Sequence, residues 1–258
     1  MIPKRIHYCW FGGNPKSKLI EKCIKSWKKY CPDYEIIEWN ESNFDLNCCD
    51  YVREAYEAKK WAFVSDYVRI WALNTYGGIY LDTDVEITQN LDKFLSHSAF
   101  TGFESKDYPF TAVFGCEKNH HTTETILESY SNRVFKLGEN EYDLQPNTAF
   151  ITNIFIEEYG VKLNNETQHL KNGLTIYSND YFCPCSCVDL SFNKTKNTHA
   201  IHWFNASWHE SKYPTIRKKL LAEKRAKSFD KLIHLPNRIL LSLFGEKRYK
   251  KIKSFLRK

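Results

Sequence analysis

Two aspartates one residue apart, Asp82 and Asp84, are the residues of this chain best suited to hold a divalent cation. They follow the apolar run Ile79-Tyr80-Leu81, which predicts a short buried strand that ends where the carboxylates begin. Carboxylate oxygens are ligands that Mg²⁺ and Mn²⁺ prefer. A cation held there would neutralise charge on a departing diphosphate, and the diphosphate would supply further oxygen ligands. Most isolated Asp-x-Asp triplets are solvated turns, so the surrounding residues must decide.

A second charged pair, Asp66 and Arg69, has helical spacing and therefore shares one face of a predicted helix. At the surface, such an ion pair would contribute little to stability. The helix, however, precedes the strand that leads to Asp82, and ligands of parallel sheets collect at the carboxyl ends of strands. We therefore expect this face of the helix to lie beside Asp82.

The elements that must position these residues alternate between strands and helices. Strands are predicted at 6–10 and 34–39, separated by a helix whose apolar face includes Trp27. A strand–helix–strand unit of this length predicts parallel pairing. The helix at 61–76 is predicted to end at the turn-forming Gly77-Gly78. Further strands are expected at 99–103, 111–116, 174–177 and 200–203, and further helices at 122–136 and 149–159.

Charge divides the chain into a body, residues 1–210, and a basic tail, residues 211–258. The tail carries 16 Lys and Arg against 3 Asp and Glu, whereas the body carries 21 against 28. The tail pattern predicts amphipathic helices, separated near Pro236, that pack on the body or meet an anionic membrane surface through residues 212–258. No nucleic-acid-binding motif accompanies the charge, so nucleic acid is not an expected partner.

Export and membrane insertion are not predicted from the sequence. The first residues lack the apolar stretch of a signal peptide, and no run of about 18 apolar residues occurs. Nine cysteines without a regular framework favour reduced thiols. We expect a cytoplasmic protein, peripheral on the inner face of the cell membrane if the tail binds lipid.

One cysteine-rich segment, Cys183-Pro184-Cys185-Ser186-Cys187, raises the question of a zinc site. Structural zinc sites usually pair Cys-x₂-Cys with a second pair of ligands, and this segment has neither that spacing nor a matching partner. An ordinary loop or strand is the favoured interpretation.

Three segments resemble glycosyltransferase family 32. The opening, residues 2–12 (IPKRIHYCWFG), is similar to the start of that family. Residues 62–69 (AFVSDYVR) and 76–85 (YGGIYLDTDV) are similar to its sugar-binding region with the Asp-x-Asp motif. Residues 199–208 (HAIHWFNASW) are similar to its late His-containing segment. The same arrangement occurs in the glucosyltransferase domains of large glucosylating toxins.

The resemblance implies a GT-A-type α/β fold over residues 1–210, with a mixed, mainly parallel central sheet flanked by helices. It also implies Mn²⁺ or Mg²⁺ as cofactor and a nucleotide diphosphate sugar as donor. Asp84 would ligate the cation, and Asp82 would contact the ribose, the sugar, or the cation through water. Asp66 and Arg69 would hold donor-sugar hydroxyls. The other implied site residues are Trp10 on the base, Tyr80 beside the nucleotide, Asn147 at the sugar or acceptor, and Ser207 and Trp208 over the phosphates.

A later metal ligand is implied within 199–208, and we assign it to His202. His199 and Asn205 are alternative ligands in the same segment. A buried histidine with a purely structural role remains an equally good interpretation of either histidine.

The resemblance implies retaining hexosyl transfer, from UDP-glucose or UDP-galactose, to a glycan or lipid-linked oligosaccharide during cell-surface or capsular polysaccharide synthesis. The sequence offers no evident carboxylate nucleophile, which favours a front-face reaction in which the departing diphosphate helps to deprotonate the acceptor. Two alternatives remain open. One is a metal-dependent phosphoryl-transfer or hydrolytic enzyme, and the other is a non-catalytic sugar-binding or membrane-adaptor protein on the same fold.

Overall fold

The computed structural model describes residues 1–110, 112–186 and 191–205. The helices are α1 (Lys18–Tyr30), α2 (Asp50–Glu57), α3 (Trp61–Tyr76), α4 (His121–Tyr130) and α5 (Asn147–Tyr159). The strands are β1 (Arg5–Cys9), β2 (Glu35–Trp39), β3 (Gly78–Leu81), β4 (Val85–Ile87), β5 (Ala99–Gly102), β6 (Val113–Cys116), β7 (Lys136–Gly138), β8 (Glu141–Tyr142), β9 (Gln168–His169), β10 (Leu174–Tyr177) and β11 (Ala200–His202). The predicted basic tail and its boundary at residue 211 lie outside the described residues.

The central sheet has seven strands in the order β2-β1-β3-β6-β5-β10-β9. β2, β1, β3, β5 and β10 run in one direction, and β6 and β9 run in the other. The predicted α/β fold, with a mixed and mainly parallel central sheet, is confirmed. The predicted strand–helix–strand unit is also confirmed, because β1 and β2 pair in parallel on either side of α1. Their carboxyl ends therefore meet at one edge of the sheet.

Helix α1 holds in place the strand that follows the Asp-x-Asp motif. Its first turn is capped by Ser17, whose hydroxyl accepts from the backbone N–H of Ile20. The buried Trp27 donates its indole N–H to the Val85 carbonyl at 2.8 Å. Ser26, one residue earlier, accepts from the backbone N–H of Ile87 at 2.9 Å. Strand β4 is thus fixed by hydrogen bonds that need a specific register with α1.

Helix α3 has the predicted bounds and leads into β3 through two glycines. Gly77 has φ +64°, and a Cβ there would lie 2.8 Å from the backbone nitrogen of Lys118. Gly78 has φ +122°, and a Cβ there would lie 2.9 Å from the Arg5 carbonyl oxygen. Side chains at either position would therefore strain this tight turn, which brings the face of α3 next to the end of β3.

The chain departs from the sequence-based prediction after α4. A helix at 122–136 is wrong at its carboxyl end, because α4 ends at Tyr130. Phe135 instead turns into the core against Tyr51 and Phe63, with ring centroids 5.6 and 5.1 Å away. Glu54 accepts the backbone N–H of Phe135 at 3.0 Å. Tertiary burial of one aromatic side chain therefore overrides the local helical preference.

No helix in the described part of the chain combines the length and apolar character that a membrane crossing requires.

The predicted strand at 200–203 is β11, which pairs with β4 in a separate two-stranded sheet. This pairing was not predicted, and it determines the second half of the site described next.

Candidate active site

The candidate site lies where three parallel strands end. Trp10 directly follows β1, Asp82 directly follows β3, and Glu104 comes two residues after β5. These strands run in the same direction, although β6 separates β3 from β5. Ligands of α/β proteins usually bind at the carboxyl edge of the sheet, and this edge holds Trp10 and Asp82, which the sequence predicted, together with Glu104, which it did not.

Helix α3 supplies one side of the site, as its spacing predicts. The Arg69 guanidinium lies 2.9 Å from Asp66 and 3.2 Å from Asp82. Its carbon lies 4.7 Å from the centre of the Tyr80 ring, within the range of a cation–π contact. Asn147, the first residue of α5, donates its side-chain N–H to Asp66 at 3.1 Å. Four of the residues selected from the sequence thus contact Arg69 or its partner Asp66.

Burial sets the charge state of this side of the site. The side chains of Asp66 and Arg69 are only 12% and 10% exposed. Burial raises the pKa of Asp66 to about 6, against the opposing effect of Arg69. Burial acts to lower the pKa of Arg69, but Asp82 and the neighbouring groups hold it well above its ordinary value. Arg69 therefore stays charged at neutral pH, whereas Asp66 gains a proton when the pH falls to about 6.

The second side of the site is built by the β4–β11 ladder. His202 pairs with Val85, the residue after Asp84, and this register places the two side chains together. The imidazole Nε2 of His202 lies 3.4 Å from an Asp84 carboxylate oxygen. The other carboxylate oxygen of Asp84 accepts the backbone N–H of Asn205 at 2.7 Å. Asp84 is thus held in one orientation by residues that lie 118 or more positions later in the chain.

The pairing of Asp84 with His202 shifts both pKa values. Burial would raise the pKa of Asp84, but His202 and the Asn205 N–H lower it below its usual range. Burial would lower the pKa of His202, but the Asp84 carboxylate raises it well above its usual range. Asp84 and His202 therefore form a buried ion pair.

The alternative ligands, His199 and Asn205, differ from His202 in position or in the atom that approaches Asp84. His199 stands near the opposite end of the ladder, where its carbonyl accepts the Thr88 N–H at 2.7 Å. Its ring packs against Phe94, and its Nδ1 lies 2.6 Å from the Asn197 carbonyl. Asn205 approaches Asp84 through its backbone N–H. Of the two histidines, His202 is the one whose side chain lies near both aspartates.

A divalent cation fits the residues at this position. Asp82, Asp84 and His202 each offer one ligand atom, and these atoms all lie within 4.8 Å of one another. They form the one group of three such residues in the described ranges. Two carboxylates and one imidazole suit Mn²⁺ or Mg²⁺, provided that phosphate or water oxygens complete the coordination. Sequence reasoning selected all three residues.

Glu104 is a residue that the sequence analysis missed. One of its carboxylate oxygens lies 3.7 Å from the Nδ1 of His202, on the side of the ring away from Asp84. Burial raises the pKa of Glu104 to about 7. Its position just after strand β5 was the available signal, because the carboxyl ends of parallel strands converge. The sequence predicts a strand at 99–103, and Glu104 is the residue directly after it.

The predicted base-binding residue Trp10 lies at the edge of the site. Its indole N–H donates to the Asn14 carbonyl at 2.7 Å, and the Lys16 ammonium lies 5.3 Å from its ring centre. Gly12 packs against Trp61, where an added Cβ would lie 2.5 Å from the indole nitrogen. Two indole rings therefore flank the turn after β1. The predicted phosphate contacts at residues 207 and 208 lie outside the described residues.

The cysteine segment gives a loop geometry over its described part. Cys183 and Cys185 are both buried, and Cys185 forms an isolated bridge with Phe192. The Cys183 thiol lies 3.6 Å from the Cys185 carbonyl oxygen. Residue 187 lies outside the described residues, so the preference for an ordinary loop or strand over a zinc site stays a prediction.

A family comparison matches part of the chain that contains this site. Residues 17–101 match the family described as a glycosyltransferase sugar-binding region containing a DXD motif. The matched range includes α3 and the Asp82-Thr83-Asp84 triplet, but not His202 or Glu104.

Two curated relatives are named as glycosyltransferases. Inositol phosphoceramide mannosyltransferase 3 of Schizosaccharomyces pombe is 33% identical over 127 residues, covering 46% of this chain and 34% of the relative. A protein of Acanthamoeba polyphaga mimivirus, named as an uncharacterized glycosyltransferase, is 27% identical over 220 residues, covering 73% of this chain and 80% of the relative. The chain therefore spans about a third of the yeast protein's length and about four-fifths of the viral protein's length.

Solved structures of glycosyltransferases are also similar. The PaToxG glycosyltransferase matches with a TM-score of 0.47 and 20% identity, covering 61% of this chain and 69% of that chain. A glycosyltransferase involved in glycosylation of the major capsid of PBCV-1 matches with a TM-score of 0.40 and 16% identity, covering 71% of this chain and 85% of that chain. From the sequence match and the named relatives, the resemblance of this chain to glycosyltransferase family 32 is confirmed, and the family match lies in residues 17–101, which contain the DXD motif.

Proposed function

We propose that this chain is a metal-dependent retaining hexosyltransferase that uses a nucleotide diphosphate sugar. One observation carries the proposal. The three potential cation ligands, Asp82, Asp84 and His202, lie next to the Asp66–Arg69 pair at the carboxyl edge of the sheet. A site for a cation and a site for hydroxyl groups therefore share one residue, Asp82.

The two sides of the site have different tasks in this proposal. Asp66, Arg69 and Asn147 bind hydroxyl groups of the donor sugar. Support comes from the Asn147 side-chain oxygen, which is buried and has no hydrogen-bond partner within the described ranges. A buried acceptor without a partner is unfavourable, and a sugar hydroxyl would satisfy it.

Asp82, Asp84 and His202 hold the cation and, through it, the diphosphate. When bound, Mn²⁺ or Mg²⁺ would neutralise negative charge on the departing diphosphate. Arg69 contributes a fixed positive charge on the sugar side, within 3.2 Å of Asp82. Trp10 and Tyr80 are the proposed contacts of the base and the rest of the nucleotide.

Retention of configuration follows from the resemblance to family 32, and we propose a front-face reaction. In that reaction the acceptor oxygen attacks the anomeric carbon from the side on which the diphosphate leaves, and the diphosphate takes the acceptor proton. A covalent glycosyl-enzyme detected by mass spectrometry after incubation with donor alone would contradict this route.

The proposed donor is UDP-glucose or UDP-galactose. The yeast relative is named a mannosyltransferase, so GDP-mannose belongs in any test of the donor. The proposed acceptor is a growing cell-surface or capsular glycan, or an oligosaccharide on a lipid.

Donor hydrolysis tests the proposed activity. The full chain would be incubated with Mn²⁺ and each nucleotide sugar, and released nucleoside diphosphate would be measured. We expect release from one donor, and loss of that release with chelator and in Asp84→Ala. Asp107→Ala removes an exposed carboxylate of the β5–β6 connection and serves as the matched control.

Other products would point to the other functions. Cleavage of the diphosphate bond, which gives nucleoside monophosphate and sugar 1-phosphate and leaves the sugar–phosphate bond intact, would indicate a phosphoryl-transfer or hydrolytic enzyme. Mn²⁺-dependent binding of a nucleotide sugar, without turnover on any supplied acceptor, would favour a sugar-binding protein.

The proposal includes association with an anionic membrane surface through residues 212–258. It is supported by the excess of 16 basic over 3 acidic residues in the segment from 211 onwards. We expect the full chain to float with vesicles that contain anionic lipid, and less so after Lys250 and Lys251 are changed to Gln. The same change at Lys28 and Lys29, which are exposed on α1, is the control. Equal flotation with neutral vesicles would contradict the anchor.

A further inference from the structure

The His202 ring lies between two carboxylates. Its Nε2 is 3.4 Å from Asp84, and its Nδ1 is 3.7 Å from Glu104. The Nδ1 atom is buried and has no hydrogen-bond partner among the described residues. The Phe204 ring lies against the imidazole, with centroids 4.0 Å apart. The ring is therefore enclosed, and Glu104 is the carboxylate that faces its second nitrogen.

The backbone around Glu104 fixes where its carboxylate can reach. Glu104 leaves the central sheet two residues after β5. Its backbone N–H donates to the Tyr108 carbonyl at 2.8 Å, which closes a tight turn with Ser105. The side chain is 18% exposed, although the next residues of the turn, Lys106 and Asp107, are exposed. A carboxylate held this way by the sheet can orient a neighbouring ring.

Histidine chemistry explains what this position requires. A neutral imidazole that binds a cation through Nε2 carries its proton on Nδ1. That N–H needs an acceptor when it is buried, and metal-binding histidines commonly donate it to a carboxylate. The other polar group near the ring is the Cys183 thiol, and sulfur is a weak acceptor. Glu104 is therefore the stronger acceptor.

We propose that Glu104 is a positioning residue that accepts the Nδ1–H of His202 and thereby keeps Nε2 directed at the cation site. The inference rests on the proposed function, because it requires a cation beside Asp82 and Asp84. The 3.7 Å separation between Glu104 and Nδ1 is longer than a hydrogen bond. We expect it to shorten when a cation binds at Nε2.

The test measures cation affinity and does not depend on turnover. Free Mn²⁺ would be followed by electron paramagnetic resonance during titration into the full chain with UDP present. Glu104→Ala should weaken Mn²⁺ binding about 10- to 100-fold, the usual effect of removing such a partner. Glu104→Gln keeps an acceptor oxygen and should retain part of the affinity. Asp107→Ala, on the same turn, should bind like the unchanged protein.

A double-mutant cycle separates positioning from a general effect on the site. If Glu104 acts through His202, then Glu104→Ala should change nothing once His202→Ala is present. An equal loss in both backgrounds would overturn the inference, as would an affinity within twofold of the unchanged protein in Glu104→Ala. If Glu104→Ala does not fold, Glu104→Gln in the same cycle decides. Absence of Mn²⁺–UDP binding in the unchanged protein would instead overturn the proposed function.

Discussion

Two of the buried histidines, His7 on β1 and His202 on β11, have different partners at their ring nitrogens. Both nitrogens of His7 have partners, because Nε2 lies 2.8 Å from the Gly77 carbonyl and Nδ1 accepts the Trp39 indole N–H at 3.2 Å. His202 has a carboxylate near each nitrogen but no hydrogen-bond partner for Nδ1 within the described ranges. Burial lowers the pKa of His7, whereas Asp84 outweighs burial and raises the pKa of His202.

The difference shows that partners, and not burial, distinguish a structural histidine from a candidate ligand. The partners of His7 are a backbone carbonyl and an indole, which join β1 to the α3–β3 turn and to β2. They require a neutral ring and leave nothing for a ligand. The partners of His202 are acidic, and one of its nitrogens faces the proposed cation. We therefore expect changes at His7 to affect folding and changes at His202 to affect binding.

The largest expected effect is on cation binding by His202→Asn. Removal of one of three protein ligands should weaken Mn²⁺-dependent UDP binding by about 100-fold or more, since partners of ligands alone account for 10- to 100-fold. Titration calorimetry on the folded variant measures this effect. If the variant binds UDP as tightly as the unchanged protein does, His202 is not a cation ligand and its role is structural.

His7→Ala should lower the free energy of unfolding by about 3 kcal/mol. The change leaves the Trp39 indole N–H and the Gly77 carbonyl buried without partners and opens a cavity. Urea unfolding measures the loss, and the folded fraction should still bind Mn²⁺ and UDP with an affinity within about twofold. A variant that folds normally but loses UDP binding would break the comparison.

The comparison between residues that serve folding and residues that serve binding also applies to Asp66. Burial raises the pKa of this carboxyl group to about 6. The folded chain therefore binds this proton more tightly than the unfolded chain, and stability falls as the pH rises from about 4 to about 6. Asp66→Asn removes this penalty, so the variant should be about 3 kcal/mol more stable than the unchanged protein at pH 7.5.

The advantage of Asp66→Asn should shrink as the pH falls and disappear below about pH 3, where Asp66 is protonated in both the folded and the unfolded chain. Thermal or urea unfolding at several pH values measures the difference between the two proteins. The stabilised variant should nevertheless lose donor hydrolysis, since Asn cannot accept sugar hydroxyls as a carboxylate does. An advantage that does not change with pH would contradict the assignment to Asp66.

The smallest expected effect is the pH dependence that His7 itself contributes. Its pKa is lowered in the folded chain, so its contribution to stability is present above the unfolded value, near 6.5, and is lost as the pH falls. The unchanged protein should therefore lose stability between about pH 7 and 5 more steeply than His7→Phe. Parallel unfolding profiles for the two proteins would mean that His7 is not neutral when folded.

Local signals predicted the part of the site that is close together in sequence. Helical spacing placed Asp66 with Arg69, and the two glycines after Tyr76 predicted the turn that brings them to Asp82. These contacts span at most 16 residues, so the pattern of one helix and one strand contains the information.

Long-range pairing explains what the sequence could not predict. The choice between His199 and His202 depends on the register of β11 against β4, and that register sets which histidine reaches Asp84. Glu104 depends on β5 entering the sheet beyond an antiparallel strand. Neither arrangement leaves a periodic pattern, because each strand is only three or four residues long.

Binding of UDP with and without Mn²⁺ tests the central claim most directly, that Asp82, Asp84 and His202 form a cation site for a nucleotide diphosphate. Calorimetry on the unchanged protein and on Asp84→Ala, with unfolding profiles to confirm that both are folded, provides the measurement. We predict binding that requires Mn²⁺ and that Asp84→Ala abolishes. Equal binding without Mn²⁺, or unchanged binding in Asp84→Ala, would contradict the account.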